Sequence, residues 1–130
     1  MESFRFGTAI NCIDGRTQQV VIDYMKQNYE VDVVDMLTFP GADRIFSDPE
    51  RLPEVALAKR AISISIEKHN SKVIEVVGHY DCAGNPGDKA HHYAHIRKAV
   101  QEVSSWNLSA RVIGLYVNDK WKIEECSPFN

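Results

Sequence analysis

The 130-residue sequence lacks the features that mark several large classes of protein. It has no excess of positive charge: 15 Lys and Arg against 18 Asp and Glu leave a formal net charge of −3. No run of Lys and Arg is interleaved with aromatic residues, so a nucleic-acid partner, which demands a basic patch, is not expected. No apolar run approaches the length of a bilayer span. The amino terminus, MESFRFGTAINC, lacks the basic segment and long apolar core of a secretion signal. Neither a membrane partner nor export is therefore expected. Cysteine is scarce too: three, an odd number at separated positions, do not make a disulfide framework. A cytoplasmic location follows as the expectation, and there thiols bind metal or do chemistry more often than they cross-link. Repeats, linkers and low-complexity segments are missing. So are the P-loop, G-x-G-x-x-G, H-x-E and P-C-x-x-C patterns, which disfavours a nucleotide-binding module or a zinc nucleobase deaminase.

What is present fits one domain spanning 1–130, with 44% apolar and 25% charged residues. Residues 4–11 read as a first strand. Val20, Val21, Tyr24 and Met25 lie on one helical face within 16–29, with Asp14 or Gly15 placed to cap its start. VDVVDML, 31–37, reads as a second strand, and TFPGADRIFSDPERLP as a long irregular loop. Pro53 suits the first turn of a second helix that runs to about His69. KVIEVVG, 72–78, is the strongest strand pattern, followed by the loop HYDCAGNPGD. Tyr93, Ile96, Val100 and Val103 mark a third helix ending near Trp106. ARVIGLYV gives a fourth strand and WKIEEC a short polar edge strand. Strands alternating with helices predict an α/β fold with a mainly parallel central sheet. The expected order is 2-1-3-4, with a short antiparallel fifth strand at the edge and helices flanking the sheet. Its switch point falls between strands one and three, where ligands bind beyond the carboxyl ends.

AINCIDGRTQQ, residues 9–19, places Cys12, Asp14 and Arg16 at alternate positions just past the first strand. His79 and Cys82 follow the third strand, so all five residues belong to the two lips of the same crevice. Each alone has a plainer reading. Either cysteine can be a buried inert thiol, or the two an oxidised pair; His79 can be a satisfied loop histidine. Asp14 can be only a helix cap and Arg16 only a solvated charge. Taken jointly, two thiols and an imidazole form a recurrent zinc set with a fourth position to spare, and this is the reading we adopt. His91 and His95 are four apart on a helix, which is also a metal-binding spacing, but no acidic zincin motif accompanies them. A polar helix face is the expectation for His91, His92 and His95. Cys126 has no partner in the pattern and is read as structural.

C-x-D-x-R at 12–16 with H-x-x-C at 79–82, each at a strand end and with Gly78 before the histidine, resembles the β-class carbonic anhydrases. The stretch IEKHNSKVIEVVGHYDCAG, 66–84, looks like that family's approach to its second zinc motif, and PGAD, 40–43, sits where it has a small-residue loop. The chain departs from the family in having Ala83-Gly84 for the usual Gly-Gly, and in lacking the arginine-asparagine pair after strand two. The resemblance implies Zn2+ held by Cys12, His79 and Cys82, with Asp14 and Arg16 as the carboxylate–guanidinium dyad of catalysis. In a closed state Asp14 becomes the fourth ligand. The implied reaction is reversible hydration of CO2 to bicarbonate by zinc-bound hydroxide, in a homodimer or higher homo-oligomer, with the proton leaving through solvent or a nearby histidine, His91 or His92. Two alternatives stand beside it. One is a hydrolase of small CO2 analogues, carbonyl sulfide or carbon disulfide. The other is a non-catalytic zinc-binding protein whose site is closed by two cysteines, one histidine and one aspartate.

Overall fold

The structure, a computed structural model, describes residues 3–48, 50 and 52–126. A single sheet runs in the order β2-β1-β3-β4-β5. Its strands are β1 (Phe6–Cys12), β2 (Val33–Phe39), β3 (Val73–His79), β4 (Arg111–Val117) and β5 (Ile123–Glu125). The first four pair in parallel, and β5 joins β4 antiparallel. Between them lie α1 (Gln18–Asn28), α2 (Ala42–Ser47), α3 (Leu52–Glu67) and α4 (Lys89–Ser104), with a 3-10 turn over Gly15–Thr17 before α1. The expected class and strand order are those observed.

Burial explains the pattern. Every residue of β3 is buried, and only the first residue of β1 is not, as suits central parallel strands covered on both faces. Ile10, Ile74, Val76 and Tyr116 pack on the side of α2, α3 and α4. Ala9, Val73, Val77, Ile113 and Leu115 pack on the other side, against Val21 and Met25 of α1. Val55, Ala58, Ile62 and Ile66 of α3 are buried at helical spacing, so tertiary burial, more than propensity, holds this helix.

Two expectations about the second strand and its loop are corrected. The strand is displaced towards the carboxyl end, over Val33–Phe39 instead of 31–37. Asp32 is occupied at the entry, where its carboxylate takes the Arg5 backbone N–H and both sides of its guanidinium at 2.8–3.1 Å. Pairing with β1 then runs from Phe6 opposite Val33 to Cys12 opposite Phe39. Second, 38–53 is not an irregular loop throughout, because it contains α2. Gly41, at φ +69°, turns the chain into that helix, a left-handed conformation that suits glycine. Phe46 of α2 is fully buried, edge-on to Phe39 at 5.4 Å. A six-residue helix is too short to show a period; its packing makes it.

Candidate metal centre

The order β1-β3 puts Cys12, the last residue of β1, beside His79, the last residue of β3. Cys12 is held on both sides of its peptide: its N–H donates to Asn11 Oδ1 at 2.8 Å, and its carbonyl accepts from Gln18 Nε2 at 2.6 Å. After His79 the chain turns through Asp81, at φ +57°, which brings Cys82 back to the crevice. The result is one cluster: the ligand atoms of Cys12, His79 and Cys82, all buried, lie within 4.8 Å of one another. The two Sγ atoms are 3.9 Å apart. Two sulfurs each about 2.3 Å from a common tetrahedral ion stand about 3.8 Å apart, so the spacing fits.

The imidazole supplies a further test of fit. His79 Nδ1–H donates to the Tyr80 carbonyl at 2.7 Å, which leaves Nε2 as the free lone pair. That Nε2 is buried and has no hydrogen-bond partner. A buried polar atom without a partner is costly, and a second-sphere carbonyl on the other nitrogen is how metal-ligating histidines are oriented. The Cys12 thiol is lowered, first by the Cys82 hydrogen bond and, against burial, by His79 and the backbone of Gly41 and Asp14. Cys82, its partner, is pushed up, since the pair shares one proton. Burial pulls the His79 imidazole down, but the facing Cys12 thiolate and Tyr80 carbonyl outweigh it and push it up. The donor set fits a divalent cation that prefers thiolate and imidazole.

Asp14 and Arg16 stand at the mouth. Asp14 caps the 3-10 turn by accepting from the Arg16 backbone N–H at 3.0 Å. Arg16 Nε and Nη2 grip its two carboxylate oxygens, with Nη2 to Oδ2 at 2.7 Å. The guanidinium, helped by that backbone N–H, lowers the Asp14 carboxyl to about 2. Asp14 Oδ2 lies 4.0 Å from the free His79 Nε2. So the structure brings together all five residues singled out in the sequence.

Behind Cys82 lies a network that sequence spacing did not reveal. Asn85 is buried, and its backbone works to lower the Cys82 thiol. Its side-chain Nδ2 donates to Asp43 Oδ1 and to His95 Nδ1, both at 3.0 Å, and its Oδ1 accepts from His91 Nε2 at 2.7 Å. His92, fully buried, donates from Nδ1 to Asp43 Oδ2 at 2.6 Å. The expectation of a polar helix face is therefore corrected for His92, and so is its use as a proton exit: no solvent reaches it. His91 is tied to Asn85 instead of the metal cluster. The signals of this network in the sequence were the histidine cluster of α4 and PGAD, whose Gly41 and Asp43 bear on it. Gly41 lies so close to the opposite loop that a Cβ there would meet the Gly84 carbonyl at 2.7 Å. Cys126 is buried, and burial first of all pushes its thiol to about 12, as suits an inert structural residue. A separate cavity of about 530 Å³, beside Arg5, Tyr29, Lys72 and Arg111, lies among the strand starts and is no part of this centre.

A family profile described as "Putative carbonic anhydrase" matches residues 2–127. The chain belongs to this carbonic anhydrase family. Solved structures agree on the fold. The β-carbonic anhydrase CafA of Aspergillus fumigatus aligns with a TM-score of 0.66 at 10% identity, over 98% of this chain and 79% of that one. A tetrameric β-carbonic anhydrase from Sordaria macrospora gives 0.59 at 13% identity, over 95% and 81%. Carbonic anhydrase from Streptococcus mutans gives 0.58 at 15% identity, over 98% and 86%. No curated protein matches the sequence. This chain joins the buried Cys12–His79–Cys82 cluster to that fold, with the Asp43–Asn85–histidine network behind Cys82.

Proposed function

We propose that the protein is a zinc-dependent carbonic anhydrase, a single zinc domain that interconverts CO2 and bicarbonate. The observation that carries this reading is the buried Cys12–His79–Cys82 donor set with its unpartnered Nε2, faced at 4.0 Å by a carboxylate that Arg16 holds. A zinc ion bound there supplies Lewis acidity that makes water a nucleophile near neutral pH. The chain's own residues do the rest. Asp14, ionised well below neutral pH, accepts a hydrogen bond from the attacking water and so turns a lone pair towards the carbon. Its pKa of about 2 makes it an orienting group and a poor base. The proton lost on forming bicarbonate leaves to solvent past the exposed Arg16. Because Arg16 occupies both Asp14 oxygens, the arrangement favours the open site over one closed by Asp14.

Reduced cysteines suit a cytoplasmic location, and no helix among the described residues is long and apolar enough to cross a membrane. Ile13 and Tyr80, apolar and exposed at the mouth, suit burial against a second copy, so a homo-oligomer belongs to the proposal. The test is stopped-flow CO2 hydration with zinc content measured in parallel. Wild type should turn over with about one zinc per chain, and Asp14→Asn should retain the zinc while kcat falls at least about 100-fold. A zinc-loaded wild type without hydration at pH 8.5 would sink the activity.

A further inference from the structure

Arg16 is gripped on more sides than its pairing with Asp14 requires. Its Nη1 donates to Asp81 Oδ2 at 3.3 Å, and its Nη2 to the Asp81 carbonyl at 3.2 Å. One face of the guanidinium lies over the Trp121 indole, 4.5 Å from the ring centroid. Tyr80 meets Trp121 edge-on at 6.4 Å and backs it from the side. Arg16 comes from the loop after β1, Asp81 from the loop after β3 and Trp121 from the β4–β5 hairpin. Three separate segments thus converge on one half-exposed side chain.

The backbone at two of these partners is unusual. Trp121 has φ +56° and Asp81 φ +57°. In the β4–β5 hairpin, Trp121 N–H donates to the Asn118 carbonyl at 2.9 Å, and Asn118 Oδ1 accepts from the Lys120 and Lys122 N–H groups at 3.0 and 3.1 Å. Hairpin loops of this kind usually place glycine at the left-handed position. A bulky tryptophan there is a real outlier, and such strain tends to sit where it serves a site. Glycine would suit this turn better, but it would leave Arg16 with no ring to lie on. Exposed ion pairs contribute little stability, so what the contacts supply is fixed orientation.

We infer that Trp121 is a positioning residue: its ring holds the Arg16 guanidinium flat, with Asp81 at the far edge, so that the fork presents Asp14 to the Cys12–His79–Cys82 cluster at one distance. This rests on the proposed role of Asp14, but its first readout does not depend on turnover. In the zinc-loaded, 15N-labelled protein, the Arg16 Nε–H resonance should lie upfield of ordinary arginines, shifted by the indole, and exchange slowly with water. Trp121→Ala and Trp121→Gly, the second suited to the left-handed backbone, should both abolish the upfield shift and speed the exchange about 10-fold, with the fold and zinc retained. Trp121→Phe, which keeps a ring, should retain most of the shift. In kinetics the first two variants should lose about 10-fold in kcat with KM within twofold of wild type, and the phenylalanine variant should recover most of it. An Arg16 resonance indifferent to Trp121→Gly, or full kcat in that variant, overturns the inference. Should wild type lack CO2 hydration altogether, the proposed activity fails, and the resonance alone still decides the role of Trp121.

Discussion

Glu75 is the buried carboxyl that the site does not use. It sits mid-strand in β3, between Ala9 of β1 and Ile113 of β4, fully buried, with neither carboxylate oxygen hydrogen-bonded. Burial, aided by the charge of Glu125 and opposed by Arg111, pushes its carboxyl up to about 9. The folded state therefore keeps a proton that the unfolded chain releases from about pH 4.5 upward. The stability this gives is complete below that pH and is lost as pH rises through about 9. The slope reaches about 1.4 kcal/mol per pH unit in between. Glu75→Gln should flatten that component: between pH 6 and 8.5 wild type should lose more Tm than the variant. Parallel Tm curves for the two would show that Glu75 does not hold its proton. At this same scale the meeting of Cys12, Asp14, Arg16, His79 and Cys82 was legible in the sequence, because the strand ends that carry them are marked by pattern and lie side by side in the sheet. Glu75 was not, since nothing in VIEVVG distinguishes a buried glutamate from one on a sheet surface.

At the scale of elements, both lips of the site draw on backbone. That of Gly41 and Asp14 lowers the Cys12 thiol and that of Asn85 works to lower Cys82, and a backbone donor leaves no trace in residue type. That is why Asn85 went unnoticed, and why α2, a single short helix after Pro40, read as loop. The histidines of α4 were visible as a cluster, but their use was not. Asp43 reaches them from another helix 49 residues away in the chain. Gly41 connects these parts. Alanine there meets a left-handed φ of +69° and the Gly84 carbonyl at 2.7 Å. Gly41→Ala should cost on the order of 2 kcal/mol and speed zinc loss to a chelator, because the loop whose backbone lowers the Cys12 thiol must move. Unchanged Tm together with an unchanged zinc off-rate would contradict this close packing of the two loops.

For the whole molecule, the topology was the most legible part. Four strands read correctly as alternating with helices, and parallel connection through helices limits the sheet to few orders. The order with β1 and β3 adjacent makes one crevice from residues 12 and 79, far apart in the chain. Loop closure over such a span costs little more than over a short one, growing by only about 0.6 kcal/mol per doubling of length. Zinc bound across it should therefore tie the two halves of the sheet together. Metal removal should lower Tm, and Cys82→Ser should lower it similarly while losing the ion.

The most direct measurement is X-ray absorption at the zinc edge of the purified protein, with metal content determined on the same sample. The expected result is about one zinc per chain with two sulfur neighbours at about 2.3 Å and nitrogen or oxygen at about 2.0 Å, and loss of the ion in Cys12→Ser as in Cys82→Ser. A folded protein that neither carries zinc nor takes it up when supplied, or one whose zinc has no sulfur neighbours, would contradict the centre on which the proposed chemistry stands.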